Sequence, residues 1–249
     1  MSEQTNPIIS FKNFSFQYRA QKKPTLHDIN LDIYPGERVL IAGPSGSGKS
    51  TLTYLLDRLY ELPEGSGEIT IGGVDIRNIA LSHLRGNIGI VLQEPFLFSK
   101  SFKDTISDGS NRHDIESVRK YARLAVIDDT IDRFAEGYDT QIGERGVTIS
   151  GGQKQRLTIA RALVGHPRLL ILDDSMSALD YATDLELRRQ LASKMGDVTK
   201  IVISQRATSI QHADHILVMD DGKCVGYGTH DALLEQCPVY ADIYRTQMQ

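Results

Sequence analysis

Gly43-Pro-Ser-Gly-Ser-Gly-Lys-Ser-Thr51 follows the apolar run Arg38-Val-Leu-Ile-Ala42 and precedes Leu52, Leu55, Leu56 and Leu59. Those leucines fall at i, i+3, i+4 and i+7, one face of a helix that stops before Pro63, and the apolar run before the glycines reads as a short buried strand. Strand, glycine-rich loop, helix is the context that the G-x-x-x-x-G-K-[ST] phosphate loop requires. Glycines at 43, 46 and 48 let the backbone curl so that several N–H groups point inward, and the helix N-terminus adds the positive end of its dipole. Lys49 is positioned by the motif to reach β and γ phosphates, and Ser50 to offer its hydroxyl to Mg²⁺.

Outward from this loop, Phe14, Phe16 and Tyr18 alternate, as do Ile29, Leu31 and Ile33, so the first forty residues read as half-buried strands with turns near Lys23-Pro24 and Pro35-Gly36. Downstream, residues 63–67 turn into a strand over Glu68-Ile-Thr-Ile71 and a Gly72-Gly73 hairpin. A buried strand runs from Asn87 to Gln93. From about 95 to 165 the spacing becomes helical, as at Ile115, Val118, Ala122 and Ala125. Beyond Pro167 strands are expected over residues 168–173, 200–204, 215–219 and 224–227, with a helix over about 182–195 and a turn at Asp220-Asp221-Gly222-Lys223. Such alternation predicts a mostly parallel sheet covered by helices.

Leu169-Leu-Ile-Leu-Asp173 is an apolar strand ending in a carboxylate, which brings an acid to the C-terminal edge of a parallel sheet. Asp173 is the candidate magnesium-side acid, and Asp174 after it the candidate group that polarises an attacking water. Ser150-Gly-Gly-Gln153 opens a helix with apolar Leu157, Ala160, Leu163 and Val164, so it is either a second anion site or a plain N-cap with a glycine turn.

Composition bounds these readings. The 249 residues carry 28 Lys plus Arg against 32 Asp plus Glu, a net charge of -4 that argues against a general basic nucleic-acid surface. No apolar run approaches the ~18 residues of a membrane helix. The opening residues carry neither a basic nor an apolar leader pattern, and the two cysteines, Cys224 and Cys237, match no zinc or redox spacing. His212 and His215 near Cys224 read as solvated loop histidines in preference to a metal cluster.

Taken together, the chain resembles the nucleotide-binding domain of an ABC transporter over nearly its whole length. The motifs fall in order: the Walker A loop at residues 43–51, the Q-loop at Gln93, the signature at Ile149-Ser-Gly-Gly-Gln153, Walker B at residues 169–173 and the D-loop at Ser177-Ala-Leu-Asp180. Gly143-Glu-Arg-Gly146, Gln93-Glu-Pro-Phe-Leu-Phe98, and residues 213–222 through Gly228-Thr-His230 are similar to the exporter branch. The resemblance implies an α/β P-loop NTPase with a RecA-like core, an antiparallel β subdomain and an α-helical subdomain, all in one domain over 1–249. The core with the β subdomain would take about 1–94 and 166–249, the helical subdomain about 95–165. It also implies two copies pairing head to tail, each ATP lying between one copy's residues Gly43, Pro44, Ser45, Gly46, Ser47, Gly48, Lys49, Ser50 and Thr51 and the other's Ser150, Gly151, Gly152 and Gln153.

By the same resemblance Tyr18 stacks on adenine, Ser50, Asp173 and Gln93 surround Mg²⁺, and Gln93 reports nucleotide state to a transmembrane domain on the cytoplasmic side of a membrane. Phe96 and Phe98 either face that membrane partner or fill the helical core, and His230 caps a helix. Two positions depart from the family pattern. The residue after the Walker B aspartate is Asp174, not glutamate, and the switch histidine is Gln205. A shorter base and a side chain that cannot carry charge predict slow hydrolysis with binding retained. This suggests the degenerate half of a heterodimeric exporter. A fully active homodimer, a regulatory nucleotide sensor and a soluble non-transport ABC ATPase are the alternatives; neither tandem domains nor a coiled-coil insert supports the last.

Overall fold

Alternation decides the first sheet. In β1 (Ile9–Phe16) and β2 (Leu26–Ile33) the aliphatic and aromatic positions are buried while most of their neighbours reach water, the pattern of an antiparallel sheet packed on one face. The computed structural model, which describes residues 6–108, 110, 114–143, 148–176, 178–204, 210 and 213–247, pairs these strands with β4 (Glu68–Ile71) and β5 (Val74–Asp75) in the order β2-β1-β4-β5. Register shifts flank Phe14 where β1 meets β2, and Asn13 there has a φ of 47°. β1 ends at Phe16, so Tyr18, expected as the last residue of the alternation, stands in the loop that follows.

Near-continuous burial decides the parallel strands. β3 (Arg38–Ala42) lies between two parallel neighbours, β8 (Thr199–Ile203) and β9 (His215–Asp220), and β10 (Lys223–Gly228) adds an antiparallel edge to β9. Leu40, Ala42, Ile216 and Val218 form one core with Leu233 and Tyr240 from α8 (His230–Gln236) and α9 (Pro238–Gln247). Each such aliphatic side chain removed from water contributes roughly 1.5–3 kcal/mol.

Chain contacts divide the protein into two compact units. All the strands named so far belong to the first, Met1–Arg85 with Thr199–Gln249, together with α1 (Lys49–Leu56). The second, Gly86–Val198, holds the parallel pair β6 (Ile88–Val91) and β7 (Leu169–Asp173) and the helices α3 (Phe102–Ser107), α4 (Ile115–Leu124), α5 (Asp128–Ile131), α6 (Gly151–Val164) and α7 (Tyr181–Lys194). α2 (Leu81–Gly86) ends where the second unit begins. Within the second unit α3 and α4 pack on α6, whose Leu157, Ala160, Leu163 and Val164 are all buried as their spacing predicts. Ile115, expected on the buried stripe of α4, is exposed, while Val118, Ala122 and Ala125 are buried.

The helix after the glycine loop is shorter than its leucine pattern suggests. It ends at Leu56, and Leu59 is exposed. Arg58 turns left-handed at φ 48° while the Leu59 N–H donates back to the Tyr54 carbonyl at 2.9 Å, a six-to-one closure that satisfies the last turn. The Arg58 guanidinium holds that geometry by donating to the carbonyls of Ile76 and Ile79 at 3.0 and 2.8 Å.

Candidate functional site

The glycine loop follows β3 and leads directly into α1, whose N-cap is Gly48 at φ 99°, with no side chain capping the first turn. Glycine at the N-cap places no side chain over the first turn, which leaves room for an anion at the helix start. A Cβ at Gly48 would lie 2.7 Å from Leu26 Cδ2 and 3.2 Å from the Thr25 carbonyl, and one at Gly43 would lie 2.2 Å from the Met219 carbonyl. Main chain from β9 thus presses on the loop from below, and only glycine fits there. Pro44, Ser45 and Gly46 form its exposed crest, while Lys49 and Ser50 are half-buried.

Lys49 Nζ donates to the carbonyls of Gly43 and Pro44 at 3.0 and 2.7 Å, arching back over the loop from the first residue of the helix. The ammonium is thereby held beside the loop main chain, where a positive charge and backbone N–H groups together suit a polyanion. Ser47 Oγ is buried in the loop with no hydrogen-bond partner, an unsatisfied polar atom of the kind a ligand oxygen relieves. The Ser47 carbonyl meanwhile accepts from the Gly222 N–H at 3.2 Å, tying the loop to the turn between β9 and β10.

Tyr18 reaches the same neighbourhood. Its hydroxyl shares a 2.9 Å hydrogen bond with Thr51 Oγ1, and its ring stands edge-on to Phe16 and Tyr60, with centroids 5.0 and 4.9 Å away. Burial pushes its hydroxyl pKa up, partly offset by the bond to Thr51. Tyr60 had no local signal in the sequence; only tertiary structure brings it beside Tyr18.

In the second unit Asp173 closes β7 and is 3% exposed, where a carboxylate persists only with a partner for its charge. Asp174 leaves the strand in a left-handed conformation at φ 42°, and the Ser175 Oγ beyond it is buried with no hydrogen-bond partner. Ser150 caps α6: its Oγ accepts from the Gln153 N–H at 3.2 Å, and Gln153 Oε1 accepts from the Ser150 N–H at 2.8 Å. The S-x-x-Q spacing is the signal of this reciprocal box, in which Gln153, expected as a nucleotide contact, also holds the N-cap. Gly152 packs against the segment before α7, since a Cβ there would lie 3.1 Å from the Ala178 carbonyl, and Gln155 Oε1 accepts from the Ala178 N–H at 3.3 Å. Asp180 caps α7 by accepting from Thr183.

Gln93 is exposed, two residues past the end of β6, which stops at Val91 and not at Gln93. Of the aromatics after it, Phe96 and Phe98 are 53% and 56% exposed and meet edge-to-face, while Leu97 between them is fully buried, so Phe96 and Phe98 are not core residues. The Arg161 guanidinium of α6 donates to the Phe96 carbonyl at 3.4 Å. Gln205, Ser177, His212 and residues 144–146 lie outside the described residues. His215 bonds Glu37 and stacks on Tyr227, and among the described residues no group of three or more His, Cys, Asp or Glu is placed to hold a metal ion. His230 is the first residue of α8, not its cap; its Nδ1 pairs with the Tyr240 hydroxyl at 2.7 Å.

A strand, a glycine cradle, a lysine folded over it and an uncapped helix start define a phosphate-loop protein. More specifically, the chain belongs to the ABC transporter family, whose pattern matches residues 26–177, and it has the ABC ATPase fold. It is 40% identical over 246 residues to the "Putative multidrug export ATP-binding/permease protein YgaD" of Bacillus subtilis, covering 99% of this chain and 42% of that protein. Over 239 residues it is 41% identical to human "ATP-binding cassette sub-family B member 6", covering 96% of this chain and 28% of that protein. Among solved structures it is similar to a bacterial Atm1-family ABC exporter with ATP bound, at a TM-score of 0.92 and 38% identity, covering 98% of this chain and 42% of that one. The chain thus spans less than half the length of these relatives. Among its described residues no helix is long and apolar enough to cross a membrane.

Proposed function

We propose that this chain is the ATP-binding domain of an exporter, attached to the cytoplasmic side of a membrane through a transmembrane domain and working as a pair with a second nucleotide-binding domain. The observation that carries this reading is the cradle at residues 43–51, with Lys49 arched over loop carbonyls and α1 open at its N-terminus. When ATP enters, the Lys49 ammonium exchanges those carbonyls for β- and γ-phosphate oxygens, so that the acceptor as well as the donor is charged and the contact is stronger than the ammonium–carbonyl contact it replaces. Backbone N–H groups of residues 46–51 take the remaining phosphate oxygens, and Tyr18 offers a ring face to adenine. By the family resemblance Ser50, Asp173 and Gln93 are the residues that would hold Mg²⁺, which would supply neutralisation of phosphate charge.

Across the pair, Ser150, Gly151, Gly152 and Gln153 present the start of α6 to the nucleotide of the partner domain. The reciprocal cap of Ser150 and Gln153 supports this role by holding that helix start in a fixed geometry. The exposed Phe96–Phe98 pair after Gln93 supports a docking face toward the membrane part. We take the chain as one domain whose helical subdomain covers about 95–165. The net charge of -4 argues against a general nucleic-acid surface.

Hydrolysis at this chain's own loop is slow. Asp174 is one methylene shorter than a glutamate and leaves its strand in a left-handed turn, so the line from carboxylate to attacking water is poorly controlled. By its side-chain chemistry Gln205 can donate a hydrogen bond to a γ-phosphate oxygen, but unlike an imidazole it can neither carry a charge nor exchange a proton. A partner bearing glutamate and histidine at these positions would complete a competent second site with this chain's α6. The double variant Asp174→Glu, Gln205→His tests this: steady-state phosphate release should rise about tenfold or more over the parent chain, and equal rates would refute the slow-site assignment.

A further inference from the structure

We propose that a cleft of about 660 Å³ in the second unit, remote in sequence from the phosphate loop, binds a small organic dianion with an apolar body. Its cations come from two helices: Lys120 and Arg123 from the last two turns of α4, and Lys194 from the end of α7, against a single carboxylate, Asp197. Arg123 also pairs with Asp128 at 3.1 Å, so the two lysines dominate the charge offered to a ligand. The Lys120 ammonium lies 5.5 Å from the centre of the Tyr121 ring, which also lines the cleft. This concentration of positive charge runs against a whole chain whose net charge is -4.

The floor is apolar. Tyr121 is fully buried, Leu124 and Met195 are each 6% exposed, and the Tyr121 hydroxyl is bonded to His166, which sits left-handed at φ 53° just past α6. Gln190 adds an amide whose nitrogen donates to Glu186 at 2.7 Å. A cleft of several hundred Å³ lined in comparable measure by apolar side chains and by charged and polar ones has the volume of a small-molecule site. Lysines on separate helices favour two anionic groups over one, because each ammonium then meets its own charge. The cleft lies past the C-terminal end of α6 and against the end of α7, the helices whose opposite ends carry Ser150 and Asp180. The site does not depend on the transport reading.

The probe is 1,5-naphthalenedisulfonate, a rigid dianion with an apolar body, added to the full chain labelled with ¹³C at the methionine methyls. The Met195 methyl, assigned by Met195→Leu, should shift saturably. Binding should weaken about tenfold in Lys120→Ala, Lys194→Ala, persist in Lys194→Arg, and fall as salt is raised. Both lysines are exposed, and a matching circular dichroism spectrum confirms that the double variant is folded. Lys49→Ala should take up the probe as the parent does, which separates this cleft from the phosphate loop. No Met195 shift at ~1 mM probe, or equal affinity in the folded double variant, would overturn the proposal.

Discussion

At the scale of single residues, Gly48 joins geometry to chemistry. Its φ of 99° starts α1 without a side-chain cap, and the space beside it is filled by Leu26 and the Thr25 carbonyl. Gly48→Ala must adopt a left-handed conformation and displace that wall, so we expect a loss of about 1–3 kcal/mol in urea unfolding, together with weaker ATP uptake. An unchanged unfolding midpoint would contradict the close approach. Tyr18 offers a separate test of the base contact. Removing the ring in Tyr18→Ala should weaken ATP binding roughly tenfold, in line with about 1–3 kcal/mol for stacking a base on an aromatic, while Tyr18→Phe keeps affinity and loses only the bond to Thr51. Equal affinities for the Ala and Phe variants would remove Tyr18 from the adenine site.

At the scale of elements, α6 shows how a helix start is fixed before any ligand arrives. Ser150→Ala deletes the acceptor for the Gln153 N–H and should cost about 1 kcal/mol in thermal or denaturant unfolding, and no measurable cost would mean that the cap is not formed in solution. The C-terminal helices carry a pH prediction. Burial, with Tyr244 and Asp231 nearby, pushes the Tyr240 hydroxyl up to about 12 from its ordinary 10.0. The folded chain keeps a proton that the unfolded chain releases near pH 10, so this stabilisation is complete below pH 10 and lost as pH rises toward 12. Tyr240→Phe should make the fall of stability between pH 10 and 12 shallower, though not flat, since Tyr138 and Tyr227 are also raised by burial. An unaltered slope would contradict it.

Elements were also where the sequence was most legible. The strand before the glycines, the acid-tipped strand at 169–173 and the helix after Ser150 follow from period and punctuation, and they stand within a residue or so of their expected bounds. The end of α1 was not legible, because Leu59 continues the apolar spacing and the left-handed Arg58 is held by carbonyls eighteen and twenty-one residues away. Phe96 and Phe98 likewise read equally well as core or surface, since only the buried Leu97 between them takes the interior position.

For the whole molecule, the chemistry rests on long-range assembly that no local pattern encodes: Met219 beneath Gly43, Gly222 bonded to Ser47, Tyr60 beside Tyr18. The first two bring the last third of the chain to a loop written in its first fifth. The family match and the fold place this assembly among ABC transporter ATP-binding domains. Calorimetric titration of the folded chain with ATP and magnesium, beside Lys49→Ala, tests the central claim most directly. The account predicts saturable single-site uptake by the parent and binding weakened about tenfold or more in Lys49→Ala at unchanged secondary structure, and equal heats from both chains would contradict it.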